Sequence, residues 1–130
     1  MGQEPFLVAS ALRAVIGQGL LRLNCTACRE EYRPAPEILA RAAVPPGADR
    51  GPFLRGKGCS QCGQTGFRGR IGVYELMEIT PEISRLVMRR ANSQELLEAA
   101  MAEGMTTMRQ DGVSKAMRGA TTLEEVVQLT

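Results

Sequence analysis

Apolar residues recur at helical spacing towards both ends of this 130-residue chain and give way between them to a stretch rich in glycine. Leu7, Ala11, Ala14 or Val15 and Ile16, with Ser10 and Arg13 between them, predict an amphipathic helix over residues 6–21 that leads into a Cys-x-x-Cys pair. Past residues 29–33, Pro34 and Pro36 open a short helix over 37–43, which Val44-Pro45-Pro46-Gly47 ends. Eight of the fourteen glycines fall between Gly47 and Gly72, so this part reads as turns and short strands, with 70–79 alternating as a strand.

The tail returns to helical periodicity. Thr80-Pro81-Glu82 is a helix start, with Thr80 as cap and Pro81 at the first position, and Ile83, Leu86 and Val87 form one apolar face. Asn92 or Ser93 caps a second helix carrying Leu96, Leu97, Ala100 and Met101, closed by Gly104. A third helix runs over 107–118 despite Gly112. Thr122-Leu123-Glu124-Glu125 reads as a capping box before a last short helix with Val126 and Val127 inward. Met101, Met105, Met108 and Met117 fall near apolar-face spacing and read as core filler.

Composition sharpens the picture. With no Trp, three Phe and two Tyr, aromatic burial is scarce and the core is thin, so a covalent or metal staple is expected. Sixteen basic against fourteen acidic residues give a net charge of +2, unlike the broad basic surface of a dedicated nucleic-acid binder. No stretch has the length of a membrane span, and the apolar run near 6–16 lacks a basic leader and a cleavage site. The expectation is therefore a cytosolic piece without a direct membrane span and with no nucleic-acid partner.

Reducing surroundings make four cysteines poor candidates for two structural disulfides. Cys25, Cys28, Cys59 and Cys62 form two Cys-x-x-Cys pairs with thirty residues between them, the pattern of a tetrahedral four-thiolate Zn²⁺ site. Gly58 and Gly63 flank the second pair, where a knuckle turn needs positive φ and room for N–H groups to approach sulfur. From Arg50 to Tyr74 there are five basic residues and no acidic one, which offsets the negative charge of four thiolates on one dication. A thioredoxin-like motif explains one pair but not two. Iron–sulfur clusters commonly use less regular spacing. Catalytic zinc needs an open position, and the chain has no His to serve as ligand or base. Two further classes share the site chemistry: a free-standing zinc-ribbon nucleic-acid binder, which wants more aromatic stacking groups than Phe67, and a chaperone-like zinc module, whose repeated Cys-x-x-Cys-x-Gly-x-Gly the first pair lacks.

Three separated segments carry a family resemblance across essentially the whole chain. Gly58 to Glu75 reads GCSQCGQTGFRGRIGVYE, Gly104 to Lys115 reads GMTTMRQDGVSK, and Gly119-x-Thr121-Thr122-x-x-Glu125-Val126 follows. In this order they resemble the carboxy-terminal part of the type II secretion and type IV pilus assembly ATPases. The resemblance implies a hexameric motor at the cytoplasmic face of the inner membrane, peripheral to it through partners. Those partners would be neighbouring subunits of the ring and inner-membrane assembly-platform proteins. It also implies that ATP and Mg²⁺ are handled by the parent motor. The phosphate-binding Gly-x-x-x-x-Gly-Lys-[Ser/Thr] has only a near-match here, Gly51 to Gly58, which lacks the final hydroxyl residue, so this chain alone is expected to turn over no ATP. The motor families for secretion, pilus extension and DNA uptake share these motifs. Where they usually read Gln-Arg-Leu, this chain has Gln18-Gly19-Leu20, and no role of that arginine is carried over.

The fold expected is α+β and mainly helical: a small tetracysteine zinc module with a short β hairpin, between a leading helix of a RecA-like motor domain and a carboxy-terminal helical bundle. Its divisions are 1–23 as the terminal strand or helix of the ATPase core, 24–79 as the zinc module and 80–130 as the helical subdomain. Arg68 and Arg70, on the glycine-rich turn past the second knuckle, are the candidate partner-binding residues, able to take a carboxylate bidentately.

Overall fold

The computed structural model describes residues 14–49 and 51–130. In chain order these form β1 (Ala14–Asn24), β2 (Arg29–Tyr32), α1 (Pro36–Ala42), β3 (Phe53–Gly56), a 3₁₀ turn (Ser60–Cys62), β4 (Phe67–Glu78), α2 (Pro81–Met88), α3 (Ser93–Ala102), α4 (Met108–Met117) and α5 (Leu123–Leu129). β1 pairs with β4. β2 pairs antiparallel with β3, Arg29 opposite Gly56 and Tyr32 opposite Phe53. Five helices and two small sheets among the described residues make the α+β mixture that the periodicities indicate.

One element departs from its periodicity. The helix expected over 6–21 lies outside the described residues as far as residue 13, and from Ala14 the chain is a strand. Gly17 and Gly19 would each cost a helix interior about 1 kcal/mol. From Gly17 onward, burial alternates in and out to bring Leu21 fully inside, the period of a strand. Gly19 also keeps β1 close to α5, because a Cβ there would stand 2.6 Å from Leu129 Cδ2.

The chain divides into two compact units. One comprises Gln18–Val73 and Met108–Thr130, and the described part of the other comprises 14–17 and Tyr74–Thr107. The helices grouped over 80–130 in the sequence thus divide, α2 and α3 falling in one unit and α4 and α5 in the other. In the first unit Leu21, Phe53, Val73, Val113, Leu123 and Val126 form the core, with α5 packed on both α1 and α4. Gly112 permits that last contact, since a Cβ on it would lie 2.9 Å from Val126 Cγ1. In the second unit, Ile83, Leu86 and Ala100 bring α2 against α3.

The helix starts follow their caps. Thr80 Oγ1 accepts from Ile83 N at 3.3 Å and Asn92 Oδ1 from Glu95 N at 2.9 Å. Thr122 Oγ1 accepts from Glu125 N at 3.2 Å, but only this half of the expected capping box forms, because the Glu125 carboxylate turns away to Arg22. The methionines divide as well: Met105 and Met108 pack against cores, whereas Met101 and Met117 remain 40% exposed and fill no core.

Candidate metal centre

Both cysteine pairs sit where strands end. β1 stops at Asn24, and the turn into β2 carries Cys25 and Cys28; β3 stops at Gly56, and Cys59 and Cys62 bracket the 3₁₀ turn before β4. The antiparallel β2–β3 register sets Arg29, next after Cys28, opposite Gly56, and Lys57 N donates to Cys28 O at 3.0 Å. A ladder of four residue pairs therefore brings together two turns that lie far apart in sequence.

All four sulfurs lie within 4.8 Å of one another. Cys25–Cys59 and Cys28–Cys62 stand at 3.8 Å and Cys59–Cys62 at 3.7 Å. A tetrahedron with metal–sulfur bonds of about 2.3 Å has edges of about 3.8 Å, so three of the six sulfur–sulfur edges match those of a four-thiolate site and the other three lie within 4.8 Å. Backbone N–H groups point at them: Gly58 N to Cys28 Sγ at 3.3 Å, and Cys59 N and Gly66 N to Cys62 Sγ at 3.2 Å each. Such donors stabilise thiolate charge.

The thiols are not equivalent. Burial pushes the Cys28 thiol up to about 11, with the Gly58 N–H opposing and the other three cysteines reinforcing. Burial also opposes ionisation of Cys62, but the N–H groups of Cys59 and Gly66 and the neighbouring thiols outweigh it and hold this residue down to about 6.

Gly58 and Gly63 adopt the positive φ expected of the knuckle, +103° and +65°. A tighter requirement lies at Gly56 and Gly66, where the entry and exit of the loop carrying Cys59 and Cys62 cross backbone to backbone. A Cβ on Gly56 would stand 2.0 Å from Gly66 O, and one on Gly66 would stand 2.4 Å from Gly56 O. Gly66 O meanwhile accepts from Cys25 N at 2.9 Å.

Arg68 and Arg70 are both exposed. Arg68 reaches Gln61 Oε1 at 3.5 Å. Arg70 lines a shallow recess with Arg22, Thr65, Phe67 and Gly69, in which the Arg22 guanidinium stacks 4.1 Å from the Phe67 ring centroid. Gly51 to Gly58 runs through β3 in the β2–β3 sheet, not through the strand-to-helix turn of a phosphate loop.

Several anchoring contacts join residues far apart in the sequence, where no local signal names the partner. Arg22 donates from N, Nε and Nη2 to the Glu125 carboxylate at 2.6–3.1 Å, and this pairing holds that carboxyl below its usual range against the opposing effect of burial. Thr121 Oγ1 donates to Arg22 O at 2.7 Å. Lys115, paired with Asp111 at 2.7 Å, donates to Gly72 O at 2.9 Å; the spacing of Asp111 and Lys115 is the one part visible in the sequence. The third family segment, Gly119 to Val126, is thus what grips the strand entering the first cysteine pair.

A family model described as type II/IV secretion system protein matches residues 1–128. The chain belongs to this family. Its sequence is 40% identical over 131 residues to the type IV pilus assembly ATPase PilB of Thermus thermophilus, covering 100% of this chain and 15% of that protein. Two Pseudomonas aeruginosa proteins are similar to the same extent of the chain. Type II secretion system protein E is 40% identical with 26% of its length covered, and type II secretion system protein HxcR is 43% identical with 24% covered. The chain therefore spans about a quarter or less of these members of the type II/IV secretion family. No helix among the described residues is long and apolar enough to cross a membrane.

Proposed function

We propose that this chain is the carboxy-terminal part of a motor ATPase for type II secretion or type IV pilus assembly, and that it contributes a structural zinc module. Cys25, Cys28, Cys59 and Cys62 would hold one Zn²⁺. Four thiolates close its coordination shell, so the ion supplies cross-linking and not catalysis. The observation that carries this reading is the gathering of four sulfurs within 4.8 Å of one another, with three separations at 3.7–3.8 Å, the edge length of a zinc–thiolate tetrahedron. ATP and Mg²⁺ belong, on this reading, to other parts of the cytoplasmic, hexameric parent motor. Arg68 and Arg70 serve contacts with neighbouring subunits or with the inner-membrane assembly platform. Their exposure supports that role, because an exposed guanidinium can take an anionic group bidentately.

Elemental analysis of the purified chain tests the metal: about one zinc per chain is expected, and serine at any one of the four cysteines should abolish retention through gel filtration. Iron in its place, or an unchanged fold with no metal, would reject the proposal. For the arginines, Arg68→Ala and Arg70→Ala in the full-length motor should lower export or piliation while zinc content and melting temperature stay near wild type. Loss of zinc in proportion to lost function would assign both to the module's own fold.

A further inference from the structure

Asn24 occupies a position that the cysteine spacing alone does not explain. It is the last residue of β1, immediately before Cys25, and is only 4% exposed. Its backbone N–H donates to Ala120 O at 2.8 Å. Its side-chain Nδ2 donates twice: to Leu54 O at 2.9 Å, in the strand that leads to Cys59, and to Gly119 O at 3.1 Å, in the turn between α4 and α5. Oδ1 has no partner among the described residues, so the carboxamide serves through its donors. Beside it, Thr121 is 1% exposed and holds Arg22 O, and Cys25 itself is 1% exposed with its N–H on Gly66 O.

We propose that Asn24 is a positioning residue of the metal centre: one buried carboxamide pins both cysteine-bearing strands and the α4–α5 turn together, so the carboxy-terminal helices govern how firmly the four sulfurs keep an ion. The inference rests on the metal reading above. Its physical basis is that a chelate holds its ion only while the ligands stay together, and Asn24 ties β1 to β3 beside the β2–β3 ladder that joins the two turns. Removing the two donors strands two backbone carbonyls in the interior, which favours separation of β1 from β3. Groups outside the ligand shell commonly change metal affinity by about 10- to 100-fold.

The test separates positioning from general destabilisation. Asn24→Leu keeps the branching at Cγ in a bulkier side chain and removes both donors, and Asn24→Asp keeps the size and shape but turns acceptors on both carbonyls. Val127→Ala trims the same core but removes no hydrogen bond to β1 or the turn. Each full chain is loaded with Zn²⁺ for release to a chromophoric chelator, and with Co²⁺ for its absorption bands, and each is melted. Both Asn24 variants should release zinc about tenfold faster or more and shift the cobalt bands. Val127→Ala should lose melting temperature yet keep the wild-type spectrum and nearly the wild-type rate. Thr121→Val, which removes only the bond to Arg22 O, should accelerate release more modestly and stands in should Asn24→Leu not fold. Release that follows melting temperature equally in Asn24 and Val127 variants, or a wild-type rate in Thr121→Val where Asn24→Leu does not fold, would overturn the proposal while leaving the metal reading intact. A wild-type chain that takes up neither ion would overturn both.

Discussion

Gly66 and Gly63 lie three positions apart in the same turn and differ sharply in what a side chain would meet. At Gly66, φ is +82° and a Cβ would enter the Gly56 carbonyl; at Gly63, φ is +65° but nothing lies within 4 Å. Gly66→Ala should therefore destabilise the metal-loaded chain by about 3 kcal/mol or more, and Gly63→Ala by the conformational term alone, about 1 kcal/mol. Urea unfolding of both variants checks the difference, and similar losses would contradict the close crossing. The thiols supply a second expectation. Metal capture needs thiolates. With Cys62 held down to about 6 and Cys28 pushed up to about 11, at neutral pH the first is already ionised and the second must give up a proton. Affinity should accordingly fall as pH falls and keep rising beyond about pH 10, where an ordinary thiol is almost fully ionised. Chelator competition at a series of pH values measures this, and a plateau from about pH 10 upward would count against the Cys28 shift. The four ligands were legible in the sequence because their pairing is local, two residues apart. Asn24 was not, since an asparagine before a cysteine carries no periodic signal and its partners lie in β3 and beyond α4.

Among the elements, Gly112 sets two opposing effects against each other. In an isolated helix Gly→Ala would gain about 1 kcal/mol. Here a methyl group would press on Val126 at 2.9 Å, and overpacking a core costs about 1–3 kcal/mol. Gly112→Ala is therefore expected to be net destabilising, with a lower urea midpoint, whereas a gain in stability would mean that α4 and α5 yield readily. The tail helices were readable from their caps, as Thr80, Asn92 and Thr122 each accept the N–H three residues on. β1 was misread because Val15, Ile16 and Leu20 suit either period, and the strand that organises it, β4, lies beyond both cysteine pairs. Glu125 was half right: its backbone joins the cap, while its side chain answers to an arginine in another element.

At the scale of the whole molecule, each unit carries its own core, and only one of them holds the cysteines. Chelation should thus raise amide exchange over 18–73 and 108–130 while α2 and α3 keep most of their protection. Hydrogen-exchange mass spectrometry with and without chelator reads this directly, and uniform loss across the chain would show the two cores to be energetically inseparable. The division of the last four helices between units was not legible, because amphipathic faces announce burial without naming the partner. A consequence for biosynthesis follows from the bond between Arg22 and Glu125, which spans 103 residues. At about 5 to 20 residues per second, the ribosome delivers the second partner about 5 to 20 s after the first. The segment Tyr74–Thr107 is continuous and emerges in one piece, so its helices can pair early. The cysteine-bearing unit must wait for α5. During that interval its thiols are held by the strand pairings β2–β3 and β1–β4 without the carboxy-terminal helices, and nascent chains should be most open to the wrong metal, or to oxidation, before Leu123 and Val126 leave the exit tunnel.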